Sequence, residues 1–205
     1  MNDTRLLFDT GARCTDGACG RLQRAIIDPG QEARLTYLAV GPDGLPGGHL
    51  VPASLVSSAD AEVLLRCTLA EFARLESDKE TSWQHTASWP YSSDAPGGRF
   101  PAGVEGIERD TGYGNRTFIR DRIPEGGVEL RRGTLVYGVD REVGRIQGLI
   151  IELPGALLTH LLVSRGRLFG RRSFSVPIGV VTGFGDGVRL DWTAAQVRAL
   201  GEEGG

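Results

Sequence analysis

Lysine is almost missing. Of the 23 Lys and Arg residues only Lys79 is a lysine. No Gly-x-x-x-x-Gly-Lys-Ser/Thr loop can be drawn, so a phosphate-cradling P-loop is excluded. Cysteine is scarce and odd in number: Cys14, Cys19 and Cys67. That count gives no disulfide framework, and free thiols, buried or half-buried, are expected. Cys14 and Cys19 flank a hairpin turn, but no second ligand pair follows and the three histidines are widely spread. No metal site is expected. Long apolar runs are absent too, which argues against a membrane-spanning helix. The opening MNDTRLLFDTGAR lacks the basic start, apolar core and cleavage site of a signal peptide, so the expected location is the cytoplasm. A Gly-x-Ser-x-Gly elbow is missing. The Gly-x-Gly triplets at 112–114 and 183–185 precede no strand–helix crossover. No catalytic residues and no cofactor are assigned, and the chain is expected not to be an enzyme.

What the chain has in quantity is glycine, 30 residues, with 10 prolines. These favour many short strands and turns over long helices. It also has an internal repeat. GRLQRAIID at 20–28 returns as GRIQGLIIE at 144–152. Leu35-Thr36, Leu38 and Val40 return as Leu158-Thr159, Leu161 and Val163. Val51-Pro52, Val56, Val63, Leu65, Thr68 and Leu75 return as Val176-Pro177, Val181, Val188, Leu190, Thr193 and Leu200. The offset drifts only between 123 and 125, and it drifts where loops tolerate length changes. One module has been used twice.

Each copy reads as a short strand, a turn at Asp16-Gly17 or Asp140-Arg141, and a long strand ending in an apolar run. Asp-Gly suits a two-residue hairpin whose central residues both take positive φ. Further strands are expected at 35–40 and 158–164, before Val51-Pro52 and Val176-Pro177, and at 63–67 and 188–192. Proline there marks a strand end or an edge. Thr68-x-x-Glu71 and Thr193-x-x-Gln196 are capping boxes, so a short helix should close each copy. The fold class is therefore mainly β: two small β-barrels, each closed by a C-terminal helix and joined by an irregular linker. The boundaries are 1–77 for the first barrel, 78–128 for the linker, 129–201 for the second barrel and 202–205 for a tail.

The grammar resembles the PRC-barrel family. The likeness rests on a turn Asp, a long apolar strand, the Leu-Thr-Tyr/His-Leu-x-Val pattern, the Val-Pro step and the Thr-x-x-Glu/Gln helix. It covers 1–77 and 129–201. The second copy, ELRRGTLVYGVDREVGRIQGLIIE followed by LLTHLLVSRGRLFGRRSFSVPIGVV, is similar to the C-terminal copy of tandem proteins of bacteria in that family. The resemblance implies a small barrel used for assembly and protein contacts, with no shared catalytic residues to carry over.

Function is then expected where the copies differ. The linker has no repeat counterpart and carries Trp83, Trp89 and Tyr91, which disordered tethers usually lack. Charge differs as well. Residues 1–76 hold seven Arg against ten acids, a net of −3; residues 129–200 hold ten Arg against six acids, a net of +4. The excess gathers at Arg165, Arg167, Arg171 and Arg172, around Phe169. Such a hairpin suits an acidic protein surface or a phosphate backbone. The expectation is an adaptor or scaffold whose partner is a protein or a second copy, as a homo-oligomer. The alternative is an RNA- or ribosome-associated factor binding through this hairpin.

Overall fold

In the computed structural model the described residues are 2–42, 47–59, 61–84, 116–165 and 172–200. Two compact units result, Met1–Lys79 with Asp121–Gly205, and Glu80–Arg120. The first copy supplies β1 (Asn2–Leu7), β2 (Gly11–Cys14), β3 (Gly17–Asp28), β4 (Arg34–Gly41), β5 (His49–Pro52), β6 (Val56–Ala59), β7 (Val63–Leu65) and α1 (Leu69–Phe72). Then come β8 (Lys79–Gln84) and β9 (Arg116–Asp121), which pair with each other. The second copy supplies β10 (Val128–Arg131), β11 (Leu135–Tyr137), β12 (Glu142–Leu153), β13 (Leu157–Arg165), β14 (Arg172–Pro177), β15 (Val181–Phe184), β16 (Val188–Leu190) and α2 (Ala194–Ala199). The described chain is mainly β, and all strands except β8 and β9 join one curled, half-barrel sheet of fourteen strands.

Within that sheet the copies exchange their first strands. β1 runs antiparallel to β12, from Asn2 opposite Leu153 to Leu7 opposite Gly148. Reciprocally, β10 runs antiparallel to β3, from Val128 opposite Ile27 to Arg131 opposite Arg24. The seam between β4 and β13 repeats the symmetry in hydrogen bonds. Leu35 N–H donates to Ala156 O at 2.9 Å, and Leu158 N–H donates to Ala33 O at 2.8 Å. The turn after each exchanged strand matches as well, with Asp9 at φ 65° and Gly133 at φ 87°.

The long strands explain why their apolar runs are continuous. Ala25 and Ile27 face the main core with Leu149 and Ile151, and that core draws buried residues from both copies. Ile26 faces the other side of the sheet, packed with Ala39 and Leu50 against Tyr37. A register shift between Leu22 and Arg24 moves the alternation by one, so Leu22 lies in the main core while Arg24 shares the face of Ile26.

Gly20 and Gly144 are required by close approach. A Cβ at either would lie 2.5 Å from a carbonyl of the neighbouring strand, Gly41 O and Ser164 O respectively. Gly20 also has φ +133°.

Both capping boxes form. Thr68 Oγ1 accepts from Glu71 N–H at 3.3 Å and Glu71 Oε2 accepts from Thr68 N–H at 2.8 Å; Thr193 and Gln196 repeat both distances. The turn aspartates complete them. Asp16 Oδ1 accepts from Leu69 N–H at 2.8 Å, and Asp140 Oδ1 from Ala194 N–H at 2.8 Å. The first turn differs from expectation. Cys14 pairs with Gly17, so Thr15 and Asp16 are the central residues, and neither takes positive φ. The aspartate's task is the helix start, not turn chirality.

That task has a pH signature. The hydrogen bond from Ala194, above all, lowers the Asp140 carboxyl below its usual 3.8. A lowered folded value contributes stability that is present above the unfolded value and lost as pH falls through the folded one. Urea unfolding at stepped pH should therefore show wild type losing more stability than Asp140→Asn between about pH 5 and pH 2. Equal losses would show that the bond does not couple to folding.

Candidate functional site

Copy two has Gly148 where copy one has Arg24, and the largest polar cluster of the described residues forms around that arginine. β3 places Arg24 between Ala39 of β4 and Arg131 of β10. Only 3 % of it is exposed. Nη2 donates to Asp78 O at 2.5 Å and to Asp78 Oδ2 at 3.4 Å, while Nη1 donates to Arg122 O at 3.4 Å. Glu129 Oε2 lies 3.6 Å from Nη1 and Asp121 Oδ1 3.7 Å from Nη2.

Asp78 is fully buried. Its Oδ1 accepts from Gly48 N–H at 2.9 Å, its own N–H donates to Gly48 O at 3.0 Å, and its carbonyl accepts from Arg122 N–H at 2.8 Å. Lys79 Nζ pairs with Asp121 Oδ1 and lies 3.5 Å from Asp78 Oδ2. Arg131 Nη2 bridges Glu129 Oε1 at 2.5 Å and Asp121 Oδ2 at 3.3 Å. Burial pushes the Asp121 carboxyl up. The Lys79 bond and the charges of Arg24, Lys79 and Arg131 outweigh that and hold it below 3.8. Arg24, Lys79 and Arg131 balance Asp78, Asp121 and Glu129.

The arrangement suits holding more than proton transfer. A guanidinium stays charged at any working pH, and each carboxylate here already faces a cation. What it holds is specific: Asp78 and Arg122, to whose carbonyls Arg24 donates, lie just outside the two ends of the Glu80–Arg120 unit. Arg24 therefore staples together the points where the inserted segment leaves the doubled module and returns to it.

The cysteines also gather. Cys14 and Cys67 are buried, Cys19 is half-buried, and none is in a disulfide. Cys14 Sγ and Cys67 Sγ stand 3.8 Å apart. Among the described residues no group of three or more His, Cys, Asp or Glu side chains has the geometry to hold a metal ion. His49 is used in packing: Nδ1 lies 2.9 Å from Leu75 O and the ring meets Phe72 edge-on at 4.8 Å. His160, at the position of Tyr37, stands opposite Pro177 as Tyr37 stands opposite Pro52.

The residues proposed from sequence are only partly in view. Arg165 is exposed at the end of β13, and Arg172 opens β14 opposite it. Trp83 lies in β8. Arg167, Phe169, Arg171, Trp89 and Tyr91 fall outside the described residues. A surface hollow of about 600 Å³ is lined in part by Arg131, Arg132 and Arg145. Those arginines are engaged, with Asp121 and Glu129, with Asp9, and with Gly133 O respectively.

No family model matches the chain, and no curated protein matches it.

Proposed function

We propose that the protein is a non-enzymatic assembly module of the PRC-barrel kind, a doubled scaffold that presents the inserted segment to a protein partner or to a second copy. In this reading each copy is a small barrel closed by its helix. The two barrels are bound by the exchange of β1 and β10, and the protein works in the cytoplasm. The observation that carries the reading is the Arg24 cluster. It breaks the repeat symmetry only where the insertion departs and returns, and it puts buried charge there, which a purely apolar packing would not need. The aromatic residues Trp83, Trp89 and Tyr91 supply contact area of the kind that anchors protein interfaces. The facing pair Arg165 and Arg172 supports the alternative, a phosphate-backbone contact.

Affinity purification from the native cell, with and without nuclease, tests both. Protein partners should survive nuclease. They should fall at least about tenfold when residues 85–115 are replaced by a short Gly-Ser turn, as expected when hot-spot anchors go. Light scattering of both proteins reads self-association. Partners that survive loss of the insertion would refute its presentation. Partners lost with nuclease, and with Arg171→Ala/Arg172→Ala, would establish the RNA reading instead.

A further inference from the structure

Three thiols meet where β2, the start of β3 and the approach to α1 converge. Cys14 ends β2, Cys19 lies in β3, and Cys67 directly precedes the cap residue Thr68. Cys14 is central: its sulfur contacts that of Cys67 at 3.8 Å, and Cys19, packed against the same core cluster, lies near enough to act on the Cys14 thiol electrostatically. Cys19 is half-buried and is the most accessible of the three; the other two are buried. The second copy has Gly138, Val143 and Trp192 at the matching positions. The repeated fold is thus built there without any thiol, and packing alone does not demand three.

We propose that Cys19, Cys14 and Cys67 form a thiol relay, in which a low-molecular-weight disulfide oxidises the buried pair to a Cys14–Cys67 disulfide. The Cys19 thiolate attacks the reagent RSSR, forming a Cys19–SR mixed disulfide and releasing RS⁻. Cys14, losing its proton to water, attacks Cys19 Sγ and expels the second RS⁻. Cys67, deprotonated in turn, attacks Cys14 Sγ and returns Cys19 as the free thiolate. Both RS⁻ are protonated, so two protein thiols and one RSSR become one protein disulfide and two RSH. The backbone is already braced for this bond: Thr15 N–H and Oγ1 both donate to Cys67 O, at 3.0 and 3.2 Å. The sulfurs must close to about 2 Å, a rotamer-scale adjustment. Burial, first of all, pushes the Cys14 and Cys67 thiols up to about 11 and raises Cys19 as well. The relay is therefore slow at neutral pH and quickens as thiolate forms.

The test incubates the full chain with oxidised glutathione from pH 7 to pH 9.5 and follows alkylation, intact mass and peptide mapping. The expected product is two mass units lighter, carries no glutathione, links Cys14 to Cys67 and leaves Cys19 alkylatable. Cys67→Ser should stop at a Cys14–Cys19 disulfide, and Cys14→Ser at glutathione on Cys19. Cys19→Ser should slow oxidation at least about tenfold, since the entry thiol is gone. Wild type that retains glutathione on Cys19, or keeps three free thiols, would overturn the relay. So would a Cys19→Ser protein oxidised as fast as wild type. The wild-type mapping needs no variant to fold.

Discussion

Arg24→Met should lower the free energy of unfolding by about 3–5 kcal/mol, the usual loss when one partner of a buried ion pair is removed. Methionine keeps the unbranched stem and its packing, so the change isolates the guanidinium. The carbonyls of Asp78 and Arg122 and the Asp78 carboxylate each lose a hydrogen bond from Arg24, and Glu129 loses one of its two cations and keeps Arg131. Asp78 has no route to water, because it is fully buried. Lys79, 3.5 Å from Asp78 Oδ2 and paired with Asp121, compensates only in part. Arg24→Lys should recover the charge but not the fork that reaches both carbonyls, and so lose an intermediate amount.

The diagnostic variant is the pair Arg24→Met with Asp78→Asn. Asparagine keeps an acceptor for Gly48 N–H and removes the stranded charge, so urea midpoints should show part of the loss restored. A double variant no more stable than Arg24→Met alone would place the cost in lost packing, and the staple would lose its electrostatic basis. The ends of the inserted segment report independently. The Arg122 amide, which donates to Asp78 O, should exchange with solvent faster in Arg24→Met than in wild type.

How far these features could be read from the sequence differs by range. The repeat was legible because ordered landmarks survive, and the capping boxes because Thr and Glu or Gln sit three residues apart. Both are local. Residue 24 carried a visible clue, an arginine in an apolar strand where copy two has glycine. Its burial was not legible. The register shift at Leu22 decides which face Arg24 takes, and its partners arrive from residues 78, 121, 122 and 129. The exchange of strands is not legible for a similar reason. NDTRLL and VELR are short, and nothing in their letters says whether they pair with their own copy or the other. The contact of Cys67 with Cys14 is not legible because it spans 53 positions, whereas spacing rules join only Cys14 and Cys19.

The exchange itself gives the second large effect, at the position that mirrors Arg24. Gly148→Ala should destabilise the protein by about 3 kcal/mol, the upper range for overpacking. A Cβ at 148 would lie 2.2 Å from Leu6 O, 3.0 Å from Leu7 Cα and 3.1 Å from Leu6 C. All three are backbone, so no side chain can swing aside. β1 has to retreat instead. Doing so strains its ladder with β12 and loosens Leu6 and Phe8, which are 1 % and 5 % exposed in the shared core. Burying a side chain of that size is worth about 1.5–3 kcal/mol, so a partial retreat is enough for the predicted loss. Gly183→Ala is the control. Nothing lies within 4 Å of its Cβ, and it should change stability by less than about 0.5 kcal/mol. The decisive comparison removes residues 2–7. In that shortened chain, itself less stable, Gly148→Ala has no strand to collide with and its penalty should vanish. An equal penalty with and without β1 would mean that the loss does not come through the exchanged strand.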